Sequence, residues 1–283
     1  MILRKQEFVM KRVVITGATS GIGLAITREL GEKGYELIIG CRNITKGLTL
    51  VKELKDKNMD VTLLEVDLAD LSSIKKFSQN LLEQYSSIDV LINNAGVFSD
   101  TKKVTKDGFE LTIGTNFIGQ VSLTEKLLTL LTVINGSRIV NISSEAALFG
   151  RIKTDKSFYT KPAKGFLAYS KSKLAQVLYT LDLAERLSKQ KVVVNAVPPG
   201  HVNTNIWKGD SFLMKIVGPV NQRKALSPET AAKICIEVAL ADEYSQVTGQ
   251  LIDHKGIMTL NRHCLDVELR KKVMLLASQV IRD

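Results

Sequence analysis

The sequence predicts an α/β fold: one doubly wound parallel sheet of about seven strands, in a single domain covering 1–283. Three observations carry that expectation. Short apolar runs alternate with amphipathic segments along nearly the whole chain. Most of the runs are near-continuous in Val, Ile and Leu, as strands covered on both faces are. No composition break, long flexible linker or internal repeat divides the sequence. Strand, helix, strand, repeated in this way, favours a parallel sheet wrapped on both sides.

In chain order, strands are expected over Arg12–Thr16, Tyr35–Gly40, Val61–Val66, Ile88–Ile92, Ser137–Ile142, Lys191–Val197 and Gln250–Ile252. Helices are expected between and after them, over Ile22–Lys33, Ile44–Lys57, Leu71–Gln84, Lys106–Thr132, Leu167–Lys189, Pro228–Ala241 and Leu265–Ile281. In the fifth helix Leu174, Val177, Leu178, Leu181 and Ala184 recur at helical spacing. Two intervals, 144–168 and 200–228, follow a strand, contain Gly and Pro, and read as substrate loops. In open α/β sheets ligands bind outside the carboxyl ends of the strands, where long connections are often functional.

Composition narrows the function classes. Hydrophobic residues make up 45% and charged residues 24%, the balance of a globular chain and not of a disordered one. Lys plus Arg number 39 against 29 Asp plus Glu, a net charge of +10 that would suit an anionic ligand or simply solubility. The basic residues are scattered, and the longest run is Arg270-Lys271-Lys272, so no nucleic acid partner is expected. Cys41, Cys235 and Cys264 show no paired spacing, and the three histidines show no metal signature; no metal site is expected. No apolar run reaches the roughly 18 residues of a membrane span. The stretch Met1–Lys11 does not read as a secretory signal, and the expected location is cytoplasmic. The 265–281 helix leaves peripheral membrane or partner contact open, and the fourth and fifth helices could pair two copies into a homodimer or simply cover the sheet.

Five elements carry chemistry. Thr16-Gly17-Ala18-Thr19-Ser20-Gly21-Ile22-Gly23 follows the first strand and opens a helix. Glycine there allows a sharp turn and close approach of a diphosphate to the helix N-terminus, though a tight strand-to-helix turn needs the same residues. At the exit of the second strand, Gly40-Cys41-Arg42-Asn43 offers no carboxylate for a ribose 2′-hydroxyl, while Arg42 suits a 2′-phosphate or is an ordinary surface arginine. Glu36 belongs to that strand's entry. NADP(H) is therefore expected over NAD(H). Asn93-Asn94-Ala95-Gly96, after the fourth strand, would let the chain pass close to an adenine or ribose, or form a plain turn. Asp67, after the third strand, could touch the adenine amine or cap a helix. Tyr169 and Lys173 lie four apart on one helix and share a face, which could be a catalytic pair or simply a solvated helix face. A free phenol is a poor base, and an adjacent ammonium favours the phenolate. Ser143-Ser144 end the fifth strand, where Ser144 could bond a substrate oxygen or cap a turn.

Together, in this order, the glycine turn, Asn93-Asn94-Ala95-Gly96, Ser143-Ser144 and Tyr169-x-x-x-Lys173 resemble the short-chain dehydrogenase/reductase family from Lys11 to about Gly256. The resemblance implies a Rossmann-like sheet and nicotinamide-dependent oxidoreduction. It implies a catalytic tetrad of Asn116 (in Gly114-Thr115-Asn116-Phe117), Ser144, Tyr169 and Lys173. It implies cofactor contacts from 11–160 mainly: Gly17, Thr19, Ser20, Gly21, Ile22 and Gly23, then Arg42, Asp67 and Leu68, then Asn93, Ala95 and Gly96. Tyr169 and Lys173 would join them, and the loop after the sixth strand would add Pro199, Gly200, Val202 and Thr204.

The sequence is nearest the retinol dehydrogenase branch in Gly40-Cys41-Arg42-Asn43, in the wide gap from Ser144 to Tyr169, and in the run Gly165 to Ala175. It departs in Asn116-Phe117-Ile118-Gly119-Gln120, where that branch more often shows histidines. In the two loops Leu148, Phe149, Phe158, Tyr159 and Phe166, and Ile206, Trp207, Phe212, Leu213, Met214, Ile216 and Val217, would line an apolar pocket or pack a lid onto the body. The expected substrate is a lipophilic alcohol, aldehyde or ketone. The alternative function is an NADP(H)-binding regulator or scaffold whose tetrad is idle.

Overall fold

The computed structural model describes residues 11–161, 165–200, 202 and 225–281. It contains a six-stranded parallel sheet in the order β3-β2-β1-β4-β5-β6. The strands are β1 Arg12–Thr16, β2 Glu36–Cys41, β3 Val61–Glu65, β4 Val90–Asn93, β5 Arg138–Ile142 and β6 Val193–Val197. In β1, Val14 points to one face while Val13 and Ile15 point to the other, and all three are fully buried. That double burial is what the continuous apolar runs encode. On one face lie α3 (Leu71–Gln84), α5 (Gln120–Leu131) and α7 (Gly165–Arg186); on the other lie α1 (Gly21–Glu32), α2 (Ile44–Lys55) and α8 (Pro228–Leu240).

The seventh expected strand, Gln250–Ile252, does not join as a full strand. Leu251 makes one parallel bridge to Ala196, and the chain then folds into a hairpin of β7 (Ile252–Asp253) and β8 (Gly256–Ile257). The reversal is local: Asp253 accepts a hydrogen bond from the Lys255 N–H, and Gly256 takes φ 110°. The expected helix Lys106–Thr132 is also divided. A turn at Gly108 delays its start, and Glu110 caps α4 (Leu111–Ile113) by accepting from the Thr112 and Ile113 amides. A π-helical turn, Gly114–Gly119, then leads into α5. The last helix, α9 (Val267–Ile281), packs Val273, Leu276 and Ala277 into the core beside α7, and Arg270 pairs with Glu185 there. The apolar faces of α5 and α7 are thus covered within the chain itself by the sheet and by α9.

Strand order reverses at β1, which has β2 on one side and β4 on the other. A crevice opens at such a switch point because the connections from the two neighbouring strands leave in opposite directions. The ends of β1, β2, β4 and β5 open onto that crevice.

Candidate active site

The crevice is a cleft of about 760 Å³. Its floor at one end is main chain. Gly17 and Gly21 take φ 68° and 53°, which side chains disfavour, and a Cβ on Gly17 would come within 2.9 Å of Ala95 Cα. The turn is held from below by Asn94, whose amide donates to Thr16 O at 2.8 Å and Gly17 O at 3.2 Å. Thr16 Oγ1 returns the tie by accepting from the Asn94 and Ala95 N–H groups. Gly17, Thr19, Ser20, Gly21 and Ile22 line the cleft, as do Ala95, Gly96, Asp67 and Leu68. Arg42 and Lys46 line it beside the β2 exit, with Arg42 Nη1 4.0 Å from Asp67 Oδ2. Glu36 stands at the other end of β2, paired with Arg12. This open, basic, backbone-floored trough fits a diphosphate-bearing dinucleotide.

The other end is made of buried side chains. Tyr169 and Lys173, one turn apart on α7, both face the cleft and are 5% and 3% exposed. Lys173 Nζ lies 5.6 Å from the centre of the Tyr169 ring. It donates to Ile142 O at 2.8 Å and to Gln176 Oε1 at 2.9 Å. Ser144 Oγ accepts from Ala146 N at 3.2 Å, so it does cap a turn; its own proton remains free for the Tyr169 oxygen, to which it is hydrogen-bonded. Burial pushes the Tyr169 phenol up to about 12, opposed by the Ser144 hydrogen bond. Burial pushes the Lys173 ammonium down to about 7. Desolvation therefore outweighs the lysine's expected assistance to the phenolate in this pocket.

Three expected site residues sit elsewhere than expected. Asn93 is buried in the sheet, donating to Thr124 Oγ1 and Asn141 Oδ1, and its neighbour Asn94 does the work beneath the glycine turn. Gly23 is absent from the cleft wall; it lies under the turn, where a Cβ would strike Gly17 O and Asn94 Nδ2. Asn116 lies behind the wall within the π turn. Its Oδ1 accepts from Val97 N, and both of its side-chain donors are spent, on Val97 O and Ser172 Oγ. What remains to order a water is its main chain and the second lone pair of Oδ1. Thr204 and the apolar residues of 206–217 lie outside the described residues, whereas Pro199, Gly200 and Val202 line the cleft.

The first loop divides by burial. Phe158 and Tyr159, in the short helix α6 (Ser157–Thr160), pack against Phe117 and Phe109 in the core, while Phe149 and Phe166 are 67% and 51% exposed, in ring contact at the cleft mouth. Lys46 was not expected. Its signal is the Asn43 cap, which places it in the first turn of α2 facing the Arg42 side. Gln120 and Gln176 were not expected either; they follow Asn116 by four residues and Lys173 by three. No helix among the described residues is long and apolar enough to cross a membrane.

Comparison with known proteins bears on this geometry. Residues 11–211 match the family model described as short chain dehydrogenase. The chain is 36% identical to retinol dehydrogenase 13 of Homo sapiens over 251 residues, covering 86% of this chain and 76% of that protein. An uncharacterized protein from Mycobacterium paratuberculosis superposes with TM-score 0.77 at 30% identity, covering 96% of this chain and 93% of its own. An actinorhodin polyketide ketoreductase with NADPH superposes with TM-score 0.65 at 26% identity, covering 87% of this chain and 95% of its own.

Proposed function

The chain belongs to the short-chain dehydrogenase family and is an oxidoreductase related to the retinol dehydrogenases, and from that premise we propose that it interconverts a lipophilic alcohol and its aldehyde or ketone with NADP(H). The observation that carries this reading is the Tyr169 phenol, buried in the cleft wall, hydrogen-bonded to Ser144 and one turn from Lys173.

Residues of the glycine turn, with Asp67, Leu68, Ala95 and Gly96, would hold a dinucleotide, and Arg42 with Lys46 would meet a 2′-phosphate. When bound, the nicotinamide supplies or accepts the hydride. In reduction Tyr169 gives its phenolic proton to the carbonyl oxygen, and the Ser144 hydroxyl steadies that oxygen through a hydrogen bond. In oxidation the phenolate takes the alcohol proton. With the phenol raised to about 12, Tyr169 is protonated at neutral pH, the form that donates to a carbonyl oxygen, and oxidation requires the bound ligands to favour the phenolate. The NADPH complex among the structural relatives supports the cofactor assignment, and exposed Phe149 and Phe166 at the mouth support an apolar substrate.

The test is turnover of apolar aldehydes, ketones and alcohols, run separately with NADPH and NADH. Tyr169→Phe is expected to lower kcat ~10³-fold while binding NADPH within about three-fold of the unaltered chain. Near-normal turnover by a folded Tyr169→Phe protein would overturn the assignment.

A further inference from the structure

Two buried glutamines connect the lysine of the site to the segment after β4. Lys173 Nζ donates to Gln176 Oε1 at 2.9 Å, the Gln176 amide donates to Gln120 Oε1, and Gln120 Nε2 donates to Ala95 O at 2.7 Å. The run crosses from α7 through the first residue of α5 to the β4 exit. Its direction is fixed at both ends, because an ammonium can only donate and a carbonyl only accept, so each amide has one consistent orientation. Each glutamine is 2% exposed, a costly place for an amide unless it is paired. The π turn explains how both are reached. From its Asn116, a bond runs to Ser172; from Gln120, directly after the turn, a bond runs to Gln176. Those two contacts pin α7 on either side of Lys173.

We propose that Gln120 and Gln176 are positioning residues: their relay sets where the Lys173 ammonium points and ties that aim to the Ala95 segment of the cleft floor. The role in turnover rests on the reading of Tyr169 and Lys173 given above; the effect on the lysine itself does not. Removing the Gln176 oxygen withdraws an acceptor that favours the charged amine, and a carboxylate in its place adds one that favours it more strongly. The other titratable groups in the cleft wall are Tyr169 on the same helix, Glu145 after β5, Arg42, Lys46 and Cys41 by β2, and Asp67 after β3. Glu125, on the α5 helix that Gln120 opens, is taken up by Tyr179 and Arg186.

The experiment follows isotope-labelled lysine side chains by NMR through a pH titration of the cofactor-free protein, with Lys173→Met to assign the signal. Relative to the unaltered chain, Gln176→Met is expected to lower the Lys173 midpoint by ~0.5–1 pH unit and Gln176→Glu to raise it by about one unit or more. Gln120→Met should shift it in the same direction as Gln176→Met, by less. In turnover, Gln176→Met should lower kcat about ten-fold with substrate KM within about two-fold, and the double methionine variant should be no slower. An unmoved Lys173 midpoint in folded Gln176→Met, or shifts of the same sign for methionine and glutamate, would overturn the relay. Should Gln176→Met not fold, Gln120→Met and Gln176→Glu decide it, because the proposal requires their shifts to oppose. A relay that titrates as expected in a protein turning over no carbonyl or alcohol would sink the functional reading and leave the relay standing.

Discussion

The two ends of the cleft are built from different materials. At the glycine turn the working groups are main-chain amides, shaped by positive φ at Gly17 and Gly21 and clamped by Asn94. At the other end they are side chains taken almost wholly out of water, Tyr169 and Lys173, supported by a buried polar layer. The first end depends on the absence of atoms, and any added Cβ is felt at once. The second depends on polar groups held where burial disfavours their charged forms, so its function is maintained against stability.

The largest effect should come from adding one carbon at the first end. In Gly23→Ala the new Cβ meets Gly17 O and Asn94 Nδ2, neither of which can retreat without opening the turn. Alanine gains up to about 1 kcal/mol of helix propensity over glycine, too little to offset overlap with main chain. Dinucleotide affinity by calorimetric titration is expected to fall ~100-fold or more, with a lower melting temperature. Unchanged binding would mean that the turn is softer than its packing implies, and the contrast between the two ends would fail.

The second end should show the opposite sign. Burial lowers the Lys173 amine from 10.5 to about 7, so between those values the unfolded chain holds a proton that the folded chain has released. Stability from this group therefore rises with pH across that window, and below about 7 the folded state bears the full cost of a buried cation. Tyr169, raised to about 12, works in reverse above pH 10, where the folded chain keeps a proton that the unfolded chain loses. Lys173→Met is expected to abolish turnover and yet melt higher than the unaltered chain at pH 6, with the advantage shrinking towards pH 9. Equal pH slopes for the two proteins would show that Lys173 is not desolvated as its burial implies.

The same contrast explains what could be read from the sequence. Apolar runs fixed six of the seven expected strands, since burial on two faces leaves a mark in composition. Gln250–Ile252 has that composition too, but the turn beginning at Asp253 bends the chain away after a single bridge, and local turn chemistry overrode the run. Glycine spacing and Tyr169-x-x-x-Lys173 are legible because they act within one element. Asn93 and Asn94 are adjacent and chemically identical, and only the register of β4 decides which one enters the sheet and which one reaches the turn. Gln120 and Gln176 meet across 56 residues of chain, and though each lies one helical turn from an expected site residue, nothing local shows that they pair.

The smallest expected effect concerns a residue that belongs to neither material. Arg42 is 68% exposed, at the margin of ion-pair distance from Asp67, and an exposed pair of this kind contributes little to stability. Arg42→Ala should leave the melting temperature within about 2 °C of the unaltered chain. Its guanidinium is nonetheless the fork at the exit of β2, a strand that itself ends without a carboxylate, with Asp67 of the β3 exit its nearest anion. Loss of a charge-assisted contact to a 2′-phosphate predicts about a ten-fold rise in KM for NADPH, with KM for NADH changed less than two-fold. Because the contact is exposed, added salt should erode the NADPH preference of the unaltered chain and have little effect on the variant. Equal losses with both cofactors would move Arg42 out of cofactor choice and into the shape of the floor. Lys46 would then be the cation left to meet the phosphate.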